Sequence, residues 1–342
     1  THEAVREECR AVHESAGVID ISGVAKFDVK GPDASTFLDR LSCNKLPARD
    51  GRMAISLFHL PNGGIMSDIS ITRLASDHYY LISAIGSEHK DLHWMQLNQS
   101  GYDVSIDNVT EKLAGFLLTG PTSREILAHM TDEDVSDATF PWLRARKMKV
   151  DSTEALVIRV SYAGELGYEL HMPRYQLLSI YDSIQRVGVE YGLRDFGGYA
   201  FNSLRLEKAY RAYGNEFTEE ISALEAGMSR FVDLSRDFIG SQNLRERLEQ
   251  GFAIELAYLV FDDEIACECH GNEAVFAEGE HIGLTTSGAY GFRVGRSLAF
   301  AYLRPDIIEE GLKVNVKTSV GVREAHIQTV MAFDPENKRL RS

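Results

Sequence analysis

No run of apolar residues in this chain of 342 approaches the roughly 20 needed to span a bilayer as a helix, so no membrane partner is expected. Basic residues are short relative to acidic ones, with 36 Lys and Arg against 51 Asp and Glu and a formal charge of −15. That balance leaves no basic stripe to neutralise phosphates, which argues against a nucleic-acid partner. Cysteine is sparse too. Cys9, Cys43, Cys267 and Cys269 are too few and too unevenly placed for a disulfide scaffold, which points to a reducing compartment, the cytoplasm. The opening THEAVREECR is charged and helical in character, unlike a signal peptide. Several chemical signatures are missing as well. There is no G-x-G-x-x-G and no Walker loop, hence no flavin, nicotinamide or nucleotide domain of the common kind. There is no G-x-S-x-G, and no cysteine sits in a catalytic frame. Cys267-Glu268-Cys269-His270 sets two sulfurs on one face of a strand, but no second pair completes four ligands, and no metal is expected.

What is present is a globular composition, 44% hydrophobic and 25% charged, in a chain long enough for two or three domains. KFDVKGPDASTFLDRL at 26–41 and AGFLLTGPTSREILAHM at 114–130 both read strand, Gly-Pro, helix. Asp33, or Thr122 with Ser123, is expected to cap the helix that follows. RMAISLFHL and IMSDISITRL flank Pro61-Asn62-Gly63-Gly64, a strong hairpin signal. Leu177, Ile180, Tyr181 and Ile184 lie at helical spacing, and a second helix is predicted over 198–214, stopping at Gly214. From Ile254 onward short strands and turns take over, which suggests a separate all-β unit.

Three acids and one arginine invite chemistry. In VSYAGELGYELHMP at 160–173, alternation on both sides of the glycines predicts two strands and a turn. Glu165 falls in that turn and reads as a solvated residue. Glu169 falls between Tyr168 and Leu170 in an apolar strand, where a charge is costly unless paired. It reads either as an ion-pair partner of an arginine or as a fork for a ligand with two parallel N–H donors. Ile65, Ile69 and Ile71 share one strand face, which puts Met66, Asp68, Ser70 and Thr72 on the other. Asp68 is then on a solvated face or aimed into a cleft beside the double glycine. Arg205 sits in LRLEK as a surface or ion-pair residue, with Glu207 and Lys208 free to point to solvent.

AGVIDISGVAKFDVKGPDASTFLDRL, NGGIMSDISITRL, SYAGELGYEL, LRLEKAYRAYGNEF with LEAG, DFIG, TTSGAYGF and GRSLAFAYLRP follow one another in order. Together, over about residues 8–325, they resemble the aminomethyltransferase (glycine-cleavage T-protein) superfamily. The resemblance is nearest to the tetrahydrofolate-binding module of dimethylglycine and sarcosine dehydrogenases. It implies an α+β fold, a three-domain cloverleaf around a central folate-binding channel, with two α/β-sheet domains and a C-terminal all-β domain. The expected boundaries are 1–48 with 131–240, then 49–130, then 250–335. The implied activity is transfer of a methyl or methylene group to tetrahydrofolate from a small methylated donor or its iminium or formaldehyde equivalent. A separate flavin dehydrogenase subunit is the partner this allows.

By the same resemblance Asp68 is the catalytic acid near N5 and N10 of the folate. Glu169 is the fork for the guanidine-like edge of the pterin, and Tyr162 the aromatic beside its reacting end. Arg205 pairs with a ligand carboxylate or holds the site acids in place, and Tyr290 lines the channel from the last domain. Two other functions share the resemblance: a glycine-cleavage aminomethyltransferase served by a lipoyl carrier protein, and a folate-binding module without catalysis. The chain departs from the family pattern at His59 and Leu60, where a leucine-asparagine pair is common. It departs again at Ser67, where a second aspartate is common, and at Gly23, where a histidine is common. These departures bear on the donor rather than on the folate.

Overall fold

Residues 2–342 are described by a computed structural model. Period-two burial builds the first of two open sheets. The strand Ala16–Asp20 lies between Leu193–Asp195, to which it is parallel, and Leu113–Thr119. Gly167–Pro173, Thr153–Ile158 and Ala145–Val150 complete six strands in that order. Tyr168, Leu170 and Met172 are fully buried under Ile180 and Ile184 of the helix Leu177–Gly188. Alternation therefore turns Glu169 and His171 to the opposite face.

The second sheet has five strands, in the order Arg52–His59, Ile65–Ala75, His78–Ser83, Ala25–Lys30 and Ser105–Asn108. Phe27, Val29, Ile69, Ile71 and Leu81 pack under Phe37 and Leu38 of the helix Ala34–Leu41 and Met95 of the helix Glu88–Leu97. Asp68 and Tyr80 take the other face. Met53, Tyr80, Ala145 and Ile158 form a small core between the two sheets, so the faces bearing Asp68 and Glu169 look toward one another. The predicted hairpin forms at 61–64. Gly63 has φ +85°, and a Cβ on Gly64 would stand 1.8 Å from the Glu219 carbonyl, so the double glycine lets the turn slide under that segment. From Glu255 to Gln328 six strands close an antiparallel barrel around Leu259, Phe261, Val314 and Ile327. The architecture is the α+β arrangement expected, two sheet units and a β barrel. Among the described residues no helix is long and apolar enough to cross a membrane.

Several local expectations are corrected. The boundaries at 48/49 and 130/131 cut through both sheets. Ala25–Lys30 pairs with His78–Ser83 in the five-stranded sheet, and Leu113–Thr119 sits in the middle of the six-stranded one. The chain crosses between sheets near 21–24 and 109–112, where composition does not change. Asp33 and Thr122 do not cap their helices: Asp33 accepts from the Asp103 N–H at 2.9 Å, and the Thr122 hydroxyl donates to the Tyr191 carbonyl at 3.4 Å. The helix beginning at Gly198 ends at Glu207 rather than Gly214, because Ala209 adopts a left-handed conformation at φ 51°. Glu207 and Lys208 are buried, not solvated.

Candidate active site

Asp68 projects from the strand Ile65–Ala75 opposite Leu57. It is half-buried, and no donor among the described residues hydrogen-bonds its carboxylate. Burial, reinforced by the charge of Asp91, pushes its pKa up to about 7. Asp91 lies on the helix side of the same sheet, buried, and accepts from the Ser83 hydroxyl at 2.5 Å. Asp68 is thus a carboxyl that exchanges its proton near neutrality, which general acid or base work requires.

Tyr162 lies across from it. Its hydroxyl donates to the Arg211 carbonyl, and its ring stacks on Tyr210 (5.6 Å, 24°) and meets Phe201 edge-on (5.5 Å, 69°). Burial raises its pKa, Arg205 lowers it and Asp68 raises it again, so these groups lie within electrostatic reach of one another.

Glu169 is half-buried, with Oε2 at 3.1 Å from Nε2 of His171. Nδ1 of His171 is in turn 3.2 Å from the Tyr80 hydroxyl. Burial, and then the charges of Glu169 and Asp28, hold Tyr80 well above the ordinary tyrosine pKa. A carboxylate only accepts, so Nε2–H of His171 donates to Glu169, while Nδ1 and the Tyr80 hydroxyl share the second hydrogen bond. Tyr80 belongs to the five-stranded sheet and His171 to the six-stranded one, so this chain of donors bridges the gap and fixes one oxygen of Glu169. Oε1 keeps no partner among the described residues. Lys26 lies close enough for Glu169 to act on it. Its ammonium donates to the Ser22 and Val24 carbonyls at 2.8 and 2.9 Å. Burial first and then Arg174 push it down to about 8, against the pull of Glu169. No arginine among the described residues contacts Glu169; histidine takes that place.

Arg205 is buried and nearly saturated. It donates to Asn202 Oδ1 (2.9 Å), the Tyr210 carbonyl (2.9 Å), Glu216 Oε2 (3.1 Å) and Ser287 Oγ (2.9 Å). Glu216 also accepts from Thr286 and Ser287 at 2.6 Å each and from the Ala212 N–H at 2.9 Å. These bonds tie the helix, residues 210–216 and the barrel strand Glu280–Gly291 into one wall beside Tyr162. Tyr290 stands apart. Its ring lies 5.7 Å from His2 and 5.1 Å from Phe292, against the N-terminal helix.

Glu165 overturns its expectation. It is 1% exposed and accepts from Arg293 (3.0 Å) and Arg339 (2.7 Å), with His13 Nδ1 at 3.1 Å. Gly164 explains the burial: at φ +77° it has no room for a Cβ, which would meet Lys208 Cγ at 2.1 Å, so the loop tucks under that side chain. His59 is a core residue. It is fully buried beside Phe238, no partner among the described residues reaches either ring nitrogen, and desolvation pushes it down to about 3. Sequence reasoning passed over His171, Tyr80, Lys26 and Glu216. His171 was within reach, since two residues on from Glu169 in a strand is the same face.

Two family models cover the chain. The GCVT N-terminal domain matches residues 1–236, and the glycine cleavage T-protein C-terminal barrel domain matches residues 255–334. Mouse mitochondrial dimethylglycine dehydrogenase is 38% identical over 320 residues, 92% of this chain but 36% of its own length. The chain therefore spans just over a third of those dehydrogenases. An aminomethyltransferase of Thermoanaerobacter sp. (strain X514) is 32% identical over 317 residues, covering 92% of this chain and 85% of the relative. In fold, the glycine cleavage system aminomethyltransferase T of Bartonella henselae superposes with a TM-score of 0.88 over 97% of this chain and 90% of that one, at 21% identity.

Proposed function

The chain belongs to the glycine-cleavage T-protein family, and from that premise we propose that it transfers a one-carbon unit from a small methylated amine, or its iminium or formaldehyde equivalent, to tetrahydrofolate. One observation carries this reading most. Glu169 is anchored through Oε2 by the His171–Tyr80 chain, keeps Oε1 free, and lies on a sheet face turned toward that of Asp68, whose pKa burial pushes up to about 7. The residues fit a reduced pterin. A carboxylate fork suits its 2-amino and N3–H edge, and the stacked Tyr162 and Tyr210 rings offer an apolar wall. When bound, tetrahydrofolate supplies the amines that accept the one-carbon unit. Asp68 holds a negative charge where the donor's positive charge develops and takes up the proton released there. Tyr162, locked onto the Arg211 carbonyl, orients the acceptor. Arg205 with Glu216 keeps that wall rigid. Tyr290 enters this reading as a more distant support from the barrel side.

A flavin dehydrogenase that generates the iminium is the partner proposed. The relatives named dimethylglycine dehydrogenase are much longer than this chain, which covers 36% of the mouse protein. The near full-length match to aminomethyltransferases favours a second reading, in which a lipoyl carrier protein delivers the aminomethyl group. The four cysteines are free and buried, which suits a reducing compartment, and the cytoplasmic placement is part of this proposal. Titration calorimetry with tetrahydrofolate tests the site. Glu169→Gln should weaken binding about 10- to 100-fold, the range of a lost charge-assisted hydrogen bond, while thermal unfolding stays near that of the parent. Unchanged affinity would make Glu169 a structural partner of His171 and remove the pterin fork.

A further inference from the structure

Behind Tyr210 lies a second cavity, of about 350 Å³. Residues 208–211 and 227–230 wall it on one side. The strands Glu255–Phe261, Arg296–Leu303 and Gly321–Gln328, with residues 329–331, wall it on the other. That volume falls in the range of small-molecule sites. Its chemistry departs from the rest of the chain. Acids outnumber bases 51 to 36 overall, yet this lining contains Lys208, Arg211 and Arg230 and no Asp or Glu. Aromatic and aliphatic side chains, among them Tyr210, Tyr258, Phe300 and Met228, supply most of the remaining surface.

The three cations differ. Lys208 is committed, donating to the Asp334 carbonyl at 2.7 Å and Asn337 Oδ1 at 2.8 Å. Arg230 is exposed, 4.6 Å over the Phe231 ring. Arg211 donates to the Ala226 and Ala209 carbonyls at 3.2 and 2.9 Å and lies 5.4 Å over the Phe300 ring. No carboxylate among the described residues makes an ion pair with it. Glu216, the acid that most offsets its desolvation, is already held by Arg205, Thr286, Ser287 and the Ala212 N–H. Arg211 is partly buried among apolar walls, and with no carboxylate among the described residues paired to it a bound anion is favourable there.

We propose that this cavity is a second ligand site, for a monocarboxylate with an aromatic or apolar body, its carboxylate paired with Arg211 and Arg230 and its body laid against Tyr210 and Phe300. The site is distinct from the space between the sheets, because Tyr210 stands between them, lining the cavity and stacking on Tyr162. Arg211 joins the two sites through one residue: its side chain lines the cavity while its carbonyl accepts the Tyr162 hydroxyl. An anion on the Arg211 side chain bears on the residue whose carbonyl holds Tyr162, so by linkage the affinity at each site depends on the other. The proposal does not rest on the folate reading, since binding is first measured without folate.

Calorimetry on the full chain with benzoate, and with benzamide as its neutral isostere, provides the test. Benzoate should bind and benzamide should bind at least about tenfold more weakly, the value of one charge-assisted contact. Arg211→Met should cost about tenfold in benzoate affinity. Arg230→Ala, at an exposed position that leaves the core alone, should cost about threefold and stands in if Arg211→Met does not fold. Saturating tetrahydrofolate should shift benzoate affinity without abolishing binding. No benzoate binding at millimolar concentration, equal binding of benzoate and benzamide, indifference to both arginine substitutions, or full displacement by tetrahydrofolate would each overturn the proposal.

Discussion

Asp68→Asn should abolish most one-carbon transfer, lowering kcat by about 10²- to 10⁴-fold, while tetrahydrofolate affinity stays within about threefold of the parent, since the proposed pterin fork is Glu169. The same substitution should stabilise the protein at pH 8, and the sign follows from linkage. The folded pKa of about 7 lies above the ordinary carboxylate value, because burial and Asp91 disfavour the charged form. Folding therefore binds Asp68's proton more tightly than the unfolded chain does. The associated stability is complete below about pH 4 and is lost as pH rises through 7. A shift of about three units sets an upper bound near 4 kcal/mol; because the residue is half-buried, about half of that is the expected gain at pH 8. At pH 4 the gain should vanish. In the parent, kcat should rise through a limb with a midpoint near 7, as the carboxylate that takes the proton forms. Activity in the donor assay and denaturant midpoints at pH 4 and 8 check both halves. Loss of activity together with loss of stability at pH 8 would make Asp68 a structural acid instead.

That trade separates what the sequence made legible from what it hid. Strand alternation was enough to put Asp68 and Glu169 on faces away from their helices, because a period of two leaves no freedom once Ile69, Ile71, Tyr168 and Leu170 are buried. The double glycine and the barrel strands were equally local signals. Glu165 was not, since its partners lie 128 and 174 residues along the chain and the glycine beside it reads like any turn. Glu207 and Lys208 look like a solvated pair in LRLEK, yet the barrel and the C-terminal segment cover them. The sheet boundaries failed for the same reason. Strand pairing is a long-range property, and a crossover of four residues leaves no compositional trace. Charges buried by distant segments are thus the class that periodicity misplaces, whereas charges on a strand whose other face is apolar are placed well.

The largest stability effect is expected from that hidden class, at Arg293. Its guanidinium donates to Glu165 at 3.0 Å, to Glu207, and to the Leu204 carbonyl at 2.9 Å, and it lies 3.8 Å over the Phe333 ring. Its backbone N–H donates to Glu207 Oε1 at 2.7 Å. All three charged groups are at most 2% exposed. Arg293→Met keeps the volume but strands the acids, which should cost about 3 to 5 kcal/mol. The two acids fare differently. Glu165 retains Arg339 and His13, whereas among the described residues Glu207 keeps only backbone donors. Burial already raises Glu207 against the opposing pull of Arg293, so removing the cation raises it further. A carboxyl with a raised folded pKa loses stability as pH climbs from the unfolded value to the folded one, so the deficit of Arg293→Met should be smallest near pH 5 and largest near pH 8. Arg293→Met with Glu207→Gln should recover a substantial part of the pH 8 loss and flatten its pH dependence, because the stranded charge is gone. Denaturant unfolding of the parent, the single and the double variants at both pH values measures this coupling. A single variant that costs less than about 1 kcal/mol at pH 8 would rank Arg293 with ordinary surface pairs.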